Sequence, residues 1–294
     1  MTIFSRWGGP MGKEFDELVQ LMARLRAPDG CPWDRKQTHA SLKPYLLEET
    51  YEVLETIDEG DVLNLKEELG DLLLQIVFHA QIGTETGTFT IQEVITLLAD
   101  KLVRRHPHVF GQAGEGTEPL DAEQVYSRWE EIKRAERNQP GREGSALDGV
   151  PKNLPALLRA YQVQGRASRV GFDWPHTSAG FEQLCGKIDE EVMELRQAHA
   201  DREDSTNRDG QAQRDARVEE ELGDVLFSLV NLARSLKVNP EDALRKAVNR
   251  FTTRFQYIES QAAGSGRKFA DMSLSEMDRL WEEAKSQSST ERSP

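Results

Sequence analysis

Glu48-Glu49-Thr50-Tyr51-Glu52, followed by Glu68-Leu69-Gly70-Asp71, returns later in the chain as Glu190-Glu191-Val192-Met193-Glu194 followed by Glu221-Leu222-Gly223-Asp224. Each copy reads E-E-x-x-E and then E-L-G-D. Residues three apart share one face of a helix. Each motif therefore puts a pair of carboxylates on one side of a helix, aimed across at a pair on a partner helix. Convergent carboxylates repel one another unless a cation sits among them. Hard oxygen donors of this kind suit Mg²⁺ or Mn²⁺.

An acidic run alone says little. With 51 acidic residues in 294, E-E-x-x-E should arise by chance roughly once, as a solvated helix face. The E-L-G-D segments carry more. Asp71 opens Leu72-Leu73-Leu74-Gln75-Ile76-Val77-Phe78, and Asp224 opens Val225-Leu226-Phe227-Ser228-Leu229-Val230. Helices apolar on most faces are expected to be buried. One polar stripe runs along each: Glu68, Asp71, Gln75 and His79 in the first, Glu221, Asp224, Ser228 and Asn231 in the second. A carboxylate there costs roughly a few kcal/mol in desolvation unless paired or metal-bound. No Lys or Arg is read on either stripe, so a cation accounts for the pattern better than an ion pair within the helix.

The periodicity is helical almost throughout, with no convincing alternating strand. It predicts helices over Phe15–Leu25, Leu42–Ile57, Leu65–Gln81, Ile91–Arg105 (stopped before Pro107) and Asp121–Arg137, the last with Asp121 as N-cap and Gln124 at its third position. The reading is all-α, with two related helical units: residues 11–137, a Pro- and Gly-containing linker over 138–155, and residues 156–285. The main difference between the halves is an insertion, His199–Arg217, whose polar composition reads as a flexible solvated loop. The polar end Ser286–Pro294 is expected to stay unstructured.

A formal net charge of −14 argues against a generic nucleic-acid binder and against an anionic membrane surface. The longest apolar stretches fall far short of the roughly 20 residues of a membrane span. The N-terminus lacks the apolar core of a signal peptide. Two cysteines, Cys31 and Cys185, form no disulfide framework or zinc spacing and fit a reducing cytoplasm.

Taken in order, these motifs resemble the MazG family of tandem-domain nucleoside triphosphate pyrophosphohydrolases. The supporting residues are Asp29-Gly30-Cys31-Pro32-Trp33-Asp34, the two acidic motifs, Arg104-Arg105-His106-Pro107-His108-Val109-Phe110, Val170-Gly171-Phe172-Asp173-Trp174 and Lys246-Ala247-Val248-Asn249-Arg250. The likeness covers residues 11–285, and its specificity lies in the ordered set. It implies two MazG-like helical bundles, packed into homodimers. It also implies Mg²⁺ (Mn²⁺ as substitute) and hydrolysis of nucleoside triphosphates to monophosphate and diphosphate. The cellular role implied is control of nucleotide pools, including removal of non-standard triphosphates.

Carried over by position, the resemblance assigns metal ligation to Glu191, Glu194, Glu221 and Asp224, with Glu49, Glu52, Glu68 and Asp71 as a second site. Glu190 and Glu191 are the candidate catalytic pair; Glu190 and its counterpart Glu48 either hold or deprotonate the attacking water or serve as outer charges. Lys187, Glu220, Lys246, Arg250 and Trp281 are the candidate nucleotide and phosphate contacts. Trp281 otherwise anchors the last helix, and Trp33 and Trp174 either stack on a base or pack in the core. The first half offers Lys101, Arg104, Arg105, His106 and His108; the histidines are either metal ligands or phosphate contacts or, as favoured beside Pro107, loop-forming and hydrogen-bonded. It has Tyr45 where the second has Lys187, so one phosphate cation is missing. Two other readings stay open. One is a narrower dUTP/dCTP or phosphoribosyl-ATP pyrophosphohydrolase, which the tandem repeat disfavours. The other is a non-hydrolysing nucleotide-binding regulator, which the intact carboxylates disfavour.

Overall fold

The structure is a computed structural model that describes residues 12–110, 121, 124–125, 128–129, 132, 136, 145–203 and 210–290. The described residues form helices and turns, with no strand. The chain divides into two compact units, Met1–Gln139 and Pro140–Pro294.

The first unit is built on a hairpin of α3 (Lys43–Glu59) and α4 (Val62–Thr86), preceded by α1 (Gly12–Leu25) and the short α2 (Pro32–Lys36). The hairpin turns on Gly60, whose φ of 71° is left-handed and cheap only for glycine, and on Asp61, whose carboxylate accepts from the N–H groups of Leu63 and Asn64. Helix α5 (Ile91–Arg105) starts from a capping box between Thr90 and Glu93 and is followed by the single turn α6 (Pro107–Phe110). Asp121 and Gln124 exchange the expected reciprocal bonds, at 2.8 and 3.1 Å. Met22, Leu42, Val77, Phe78 and Ile82 form the core, so α4 meets both α1 and the entry to α3. Each such side chain contributes about 1.5–3 kcal/mol by leaving water.

The second unit repeats the plan with α7 (Ala156–Ser168), α8 (Ser178–Glu203), α9 (Gln211–Ser235), α10 (Pro240–Gly264) and α11 (Leu274–Thr290). Its long antiparallel pair is α8 and α9; α7 lies on α9 and α10, and α11 lies on α10. Leu184, Val225, Val230, Ile258 and Leu280 are its larger buried apolar residues.

Three expectations change. Within the polar insertion the described residues are mostly helical: α8 runs on to Glu203 and α9 already begins at Gln211, while residues 204–209 lie outside the described ones. Charged and amide pairs explain why: Gln197 donates to Asp201, Gln211 to Asp215, and Arg217 reaches across to Asp201 at 3.0 Å. The tail is helical through Thr290, since extending a formed helix costs far less than nucleating one; residues 291–294 lie outside the described ones. The apolar faces of the E-L-G-D helices are only partly covered. Leu69, Ile76, Leu222, Leu226 and Phe227 remain 44–49% exposed. No helix among the described residues is long and apolar enough to cross a membrane.

Candidate active site

The hairpins do what the repeated motif requires. In the first unit, Glu49 and Glu52 stand one turn apart on α3 and face Glu68 on α4. One carboxylate oxygen from each lies within 4.8 Å of the others. Burial first, then the neighbouring charge of Asp71 and the contact with Glu52, push the Glu49 carboxyl up; burial and the charges of Glu52, Asp71 and Glu67 do the same to Glu68. Asp71 therefore adds its charge to the cluster, although its oxygens lie outside the three-carboxylate group. Gln75, buried one turn beyond Asp71, donates to Glu49 at 3.5 Å, and its amide oxygen accepts no hydrogen bond. Among the described residues, no Lys or Arg pairs with Glu49, Glu52, Glu68 or Asp71.

In the second unit Glu191, Glu194 and Glu221 meet in the same way, again within 4.8 Å. Glu191 is buried at 7% exposure, while Glu194 and Asp224 are exposed. The structure does not bring Asp224 into this group. Here cations are at hand. Lys187 Nζ lies 2.8 Å from Glu191 and 2.9 Å from Glu190, and these contacts raise its pKa well above the lysine norm. Arg217 Nε lies 3.6 Å from Glu221. Arg217 sits one turn before Glu221 and extends the polar stripe, correcting the reading that no Lys or Arg lies along it. The Glu194 carboxyl, although exposed, is still pushed up by partial desolvation beside the hairpin and by the charges of Glu191 and Glu221.

An all-oxygen donor set close enough to share one ion fits a hard divalent cation in both units, and desolvation together with neighbouring carboxylates pushes Glu49, Glu68 and Glu194 within it upward. Chemically, each hairpin offers the oxygen donors that Mg²⁺ or Mn²⁺ takes.

The remaining candidates are placed as follows. Glu220 is exposed beside Glu221. Lys246 and Arg250 are exposed and one turn apart on α10; Arg250 forms no ion pair among the described residues. Trp281 is half-buried against Phe251, ring centroids 5.3 Å apart, and under the Arg254 guanidinium. Tyr45, in the Lys187 position, packs edge-on to Trp33 at 5.7 Å. Histidine 106 caps α5, its Nδ1 against the Leu102 carbonyl, so it serves the turn as expected. His79, at the end of the first polar stripe, bonds His39 between Nδ1 atoms at 2.8 Å rather than joining the carboxylates.

Two buried clasps were not foreseen. In the first unit Arg26, 6% exposed at its side chain, pairs with Glu85 of α4 at 2.7 Å and also donates to the carbonyl of Asp34. This ties the Asp29–Asp34 loop to the hairpin. Gly30 in that loop leaves no room for a Cβ against the Leu25 carbonyl. In the second unit Arg234 of α9 forks onto Asp173, both side chains 11% exposed, with one bond at 2.9 Å. Burial opposes that charge, but Arg234 holds the Asp173 carboxyl below its usual range. The sequence signal available was Asp173 beside Trp174 in the second unit; in the first, Arg26 takes only the backbone carbonyl of Asp34 and the carboxylate of Glu85, which no local pattern announces.

Against known proteins, the MazG nucleotide pyrophosphohydrolase domain matches twice, over residues 37–110 and 180–258, each match taking in one carboxylate hairpin. The nucleoside triphosphate pyrophosphohydrolase/pyrophosphatase MazG of Thermotoga maritima is 46% identical over 92% of this chain and 95% of its own. The nucleoside triphosphate pyrophosphohydrolase of Escherichia coli K12 is 42% identical over 93% of this chain and 98% of its own. A solved mazG-related protein from Thermotoga maritima is 26% identical and covers 40% of this chain and 98% of its own at a TM-score of 0.35, an overlay too partial to carry an argument. Matched by the domain in both halves and by these relatives along nearly its whole length, the chain belongs to the MazG nucleotide pyrophosphohydrolase family.

Proposed function

We propose that this chain is a Mg²⁺-dependent nucleoside triphosphate pyrophosphohydrolase that releases monophosphate and diphosphate, with the second carboxylate cluster as its working site. The observation that carries this reading is the meeting of Glu191, Glu194 and Glu221 beside Lys187, in a chain whose relatives are named for that activity. Mn²⁺ would serve as a substitute.

Glu191, Glu194 and Glu221 would hold the metal, with Asp224 swinging in from its exposed position. Bound Mg²⁺ would supply charge neutralisation for the triphosphate and a more acidic water. Glu190 then takes the proton as the water oxygen attacks the α-phosphorus. The bond from that phosphorus to the bridging oxygen breaks, and the diphosphate leaves with the bond's electrons. Lys187, released from Glu190 and Glu191, together with Lys246 and Arg250, stabilises that leaving charge. Trp281 lines the nucleotide, and Glu220 lies on the rim of the site.

Ribo- and deoxyribonucleotides, including non-standard ones, form the substrate class, which suits a role in controlling nucleotide pools. The 44–49% exposed Leu69, Ile76, Leu222, Leu226 and Phe227 support a homodimer in which a second copy covers these faces. Two half-buried free cysteines fit a cytoplasmic setting. Neither nucleic acid nor membrane is expected as a partner at a net charge of −14.

The test is product analysis with and without metal. Monophosphate and diphosphate should appear in Mg²⁺, and excess EDTA should stop the reaction until Mg²⁺ is restored. Release of nucleoside diphosphate and orthophosphate, or full activity in EDTA, contradicts the proposal.

A further inference from the structure

The two units treat their phosphate-facing cations differently. Lys101 and Arg105 on α5 stand where Lys246 and Arg250 stand on α10, four residues apart in both. The next residue confirms the register. His106, directly after Arg105, packs edge-on against Trp129 at 4.6 Å, and Phe251, directly after Arg250, packs against Trp281 at 5.3 Å. Each tryptophan opens the same run, Trp129-Glu130-Glu131 and Trp281-Glu282-Glu283. Two turns past Trp129 comes Glu136; two turns past Trp281 comes Ser288.

Glu136 points back at α5. Its Oε2 accepts from Arg105 Nη2 at 2.6 Å and from Arg105 Nε at 3.2 Å, and its Oε1 accepts from Arg104 Nε at 2.7 Å. Arg105 and Glu136 are each 23% exposed, so water screens this pair little. A carboxylate forked onto one guanidinium and shared with another satisfies the bonds that a phosphate would otherwise make. The hold is tight enough to lower the Glu136 pKa to about 2. Arg250, the counterpart of Arg105, has no such anion among the described residues.

We propose that Glu136 is an internal anion occupying Arg104 and Arg105 in place of a substrate phosphate, which locks the N-terminal unit against nucleoside triphosphates. This rests on the reading above that Lys246 and Arg250 bind the triphosphate. The lock explains how a unit with intact carboxylates can leave turnover to its twin. Displacing Glu136 would open a second nucleotide site.

The test is calorimetric titration of the full chain with α,β-methylene ATP and Mg²⁺. Wild type should bind at the second unit, and Arg250→Ala should abolish that binding; no binding by wild type, or none lost in Arg250→Ala, would fault the triphosphate-site reading instead. Glu136→Gln should add a further equivalent per chain, at least about tenfold tighter than any first-unit binding in wild type. The added site should persist with Arg250→Ala and vanish with Arg105→Ala. Glu136→Ser, copying the second repeat, should behave likewise. If folded Glu136→Gln and Glu136→Ser keep the wild-type stoichiometry, or if both lose helicity, the contact is structural and the lock is refuted.

Discussion

Among the described residues no Lys or Arg pairs with the first carboxylate cluster, where Gln75 donates to Glu49 and Tyr45 holds the Lys187 position, whereas the second is furnished with Lys187 and Arg217. The donor geometry is the same, with three carboxylate oxygens inside 4.8 Å. On the proposed function, holding a metal and turning over a polyphosphate would be separable tasks. Ligand geometry comes from the hairpin and is duplicated with it. Phosphate handling needs mobile positive charge, which the two halves distribute differently.

The sharpest single-residue break of that comparison is Lys187→Met. It removes the cation while sparing the ligands, and should lower kcat/KM for triphosphate by about 10²-fold. At the same time Mn²⁺ should bind the second cluster more tightly, because the tethered ammonium no longer competes for Glu191. Steady-state kinetics with Mn²⁺ titration checks both, and unchanged kinetics would place Lys187 outside the reaction.

Stability offers a second contrast. Arg234→Ala strands Asp173 in a site where both side chains are 11% exposed, and should cost about 3–5 kcal/mol. Arg26→Ala should cost less, because Glu85 is 35% exposed and can turn to water. Denaturant unfolding followed by helix signal distinguishes the two, and equal losses would refute the difference in burial.

Acid should produce the smallest effect. Glu136 titrates at about 2 in the fold instead of 4.5. A lowered carboxyl pKa gives stabilisation that is complete above the unfolded value and lost as pH falls through the folded one. The clamp therefore holds at neutral pH and weakens between about 4.5 and about 2. Glu136→Gln should flatten the first unit's stability over that window; an unchanged pH profile would show that the clamp does not contribute.

Much of this was legible in the sequence because it is local. Glu49 with Glu52 and Glu68 with Asp71 lie one turn apart, so helical period alone predicts their shared face. The Asp121–Gln124 cap is equally local. The clasps were hidden because Arg26 and Glu85, like Arg234 and Asp173, meet across long sequence separations with no periodic trace. His199–Arg217 misled because a polar composition describes a solvated helix as well as a loop; pairs such as Gln211–Asp215, Arg217–Asp201 and Arg217–Glu221 favour the helix. The apolar E-L-G-D faces were read as buried, but a pattern of Leu and Phe does not say whether the same chain or a second copy covers them.

The central claim, that both clusters hold metal while the second performs hydrolysis, is tested most directly by paired variants assayed for Mn²⁺ binding and for triphosphate hydrolysis. Glu49→Ala should lose one Mn²⁺ site and keep most activity. Glu191→Ala should lose the other site and drop the rate by about 10²–10⁴-fold, with both proteins helical and in the wild-type oligomeric state. A Glu49→Ala protein as inactive as Glu191→Ala, or a Glu191→Ala protein with wild-type turnover, would contradict the account.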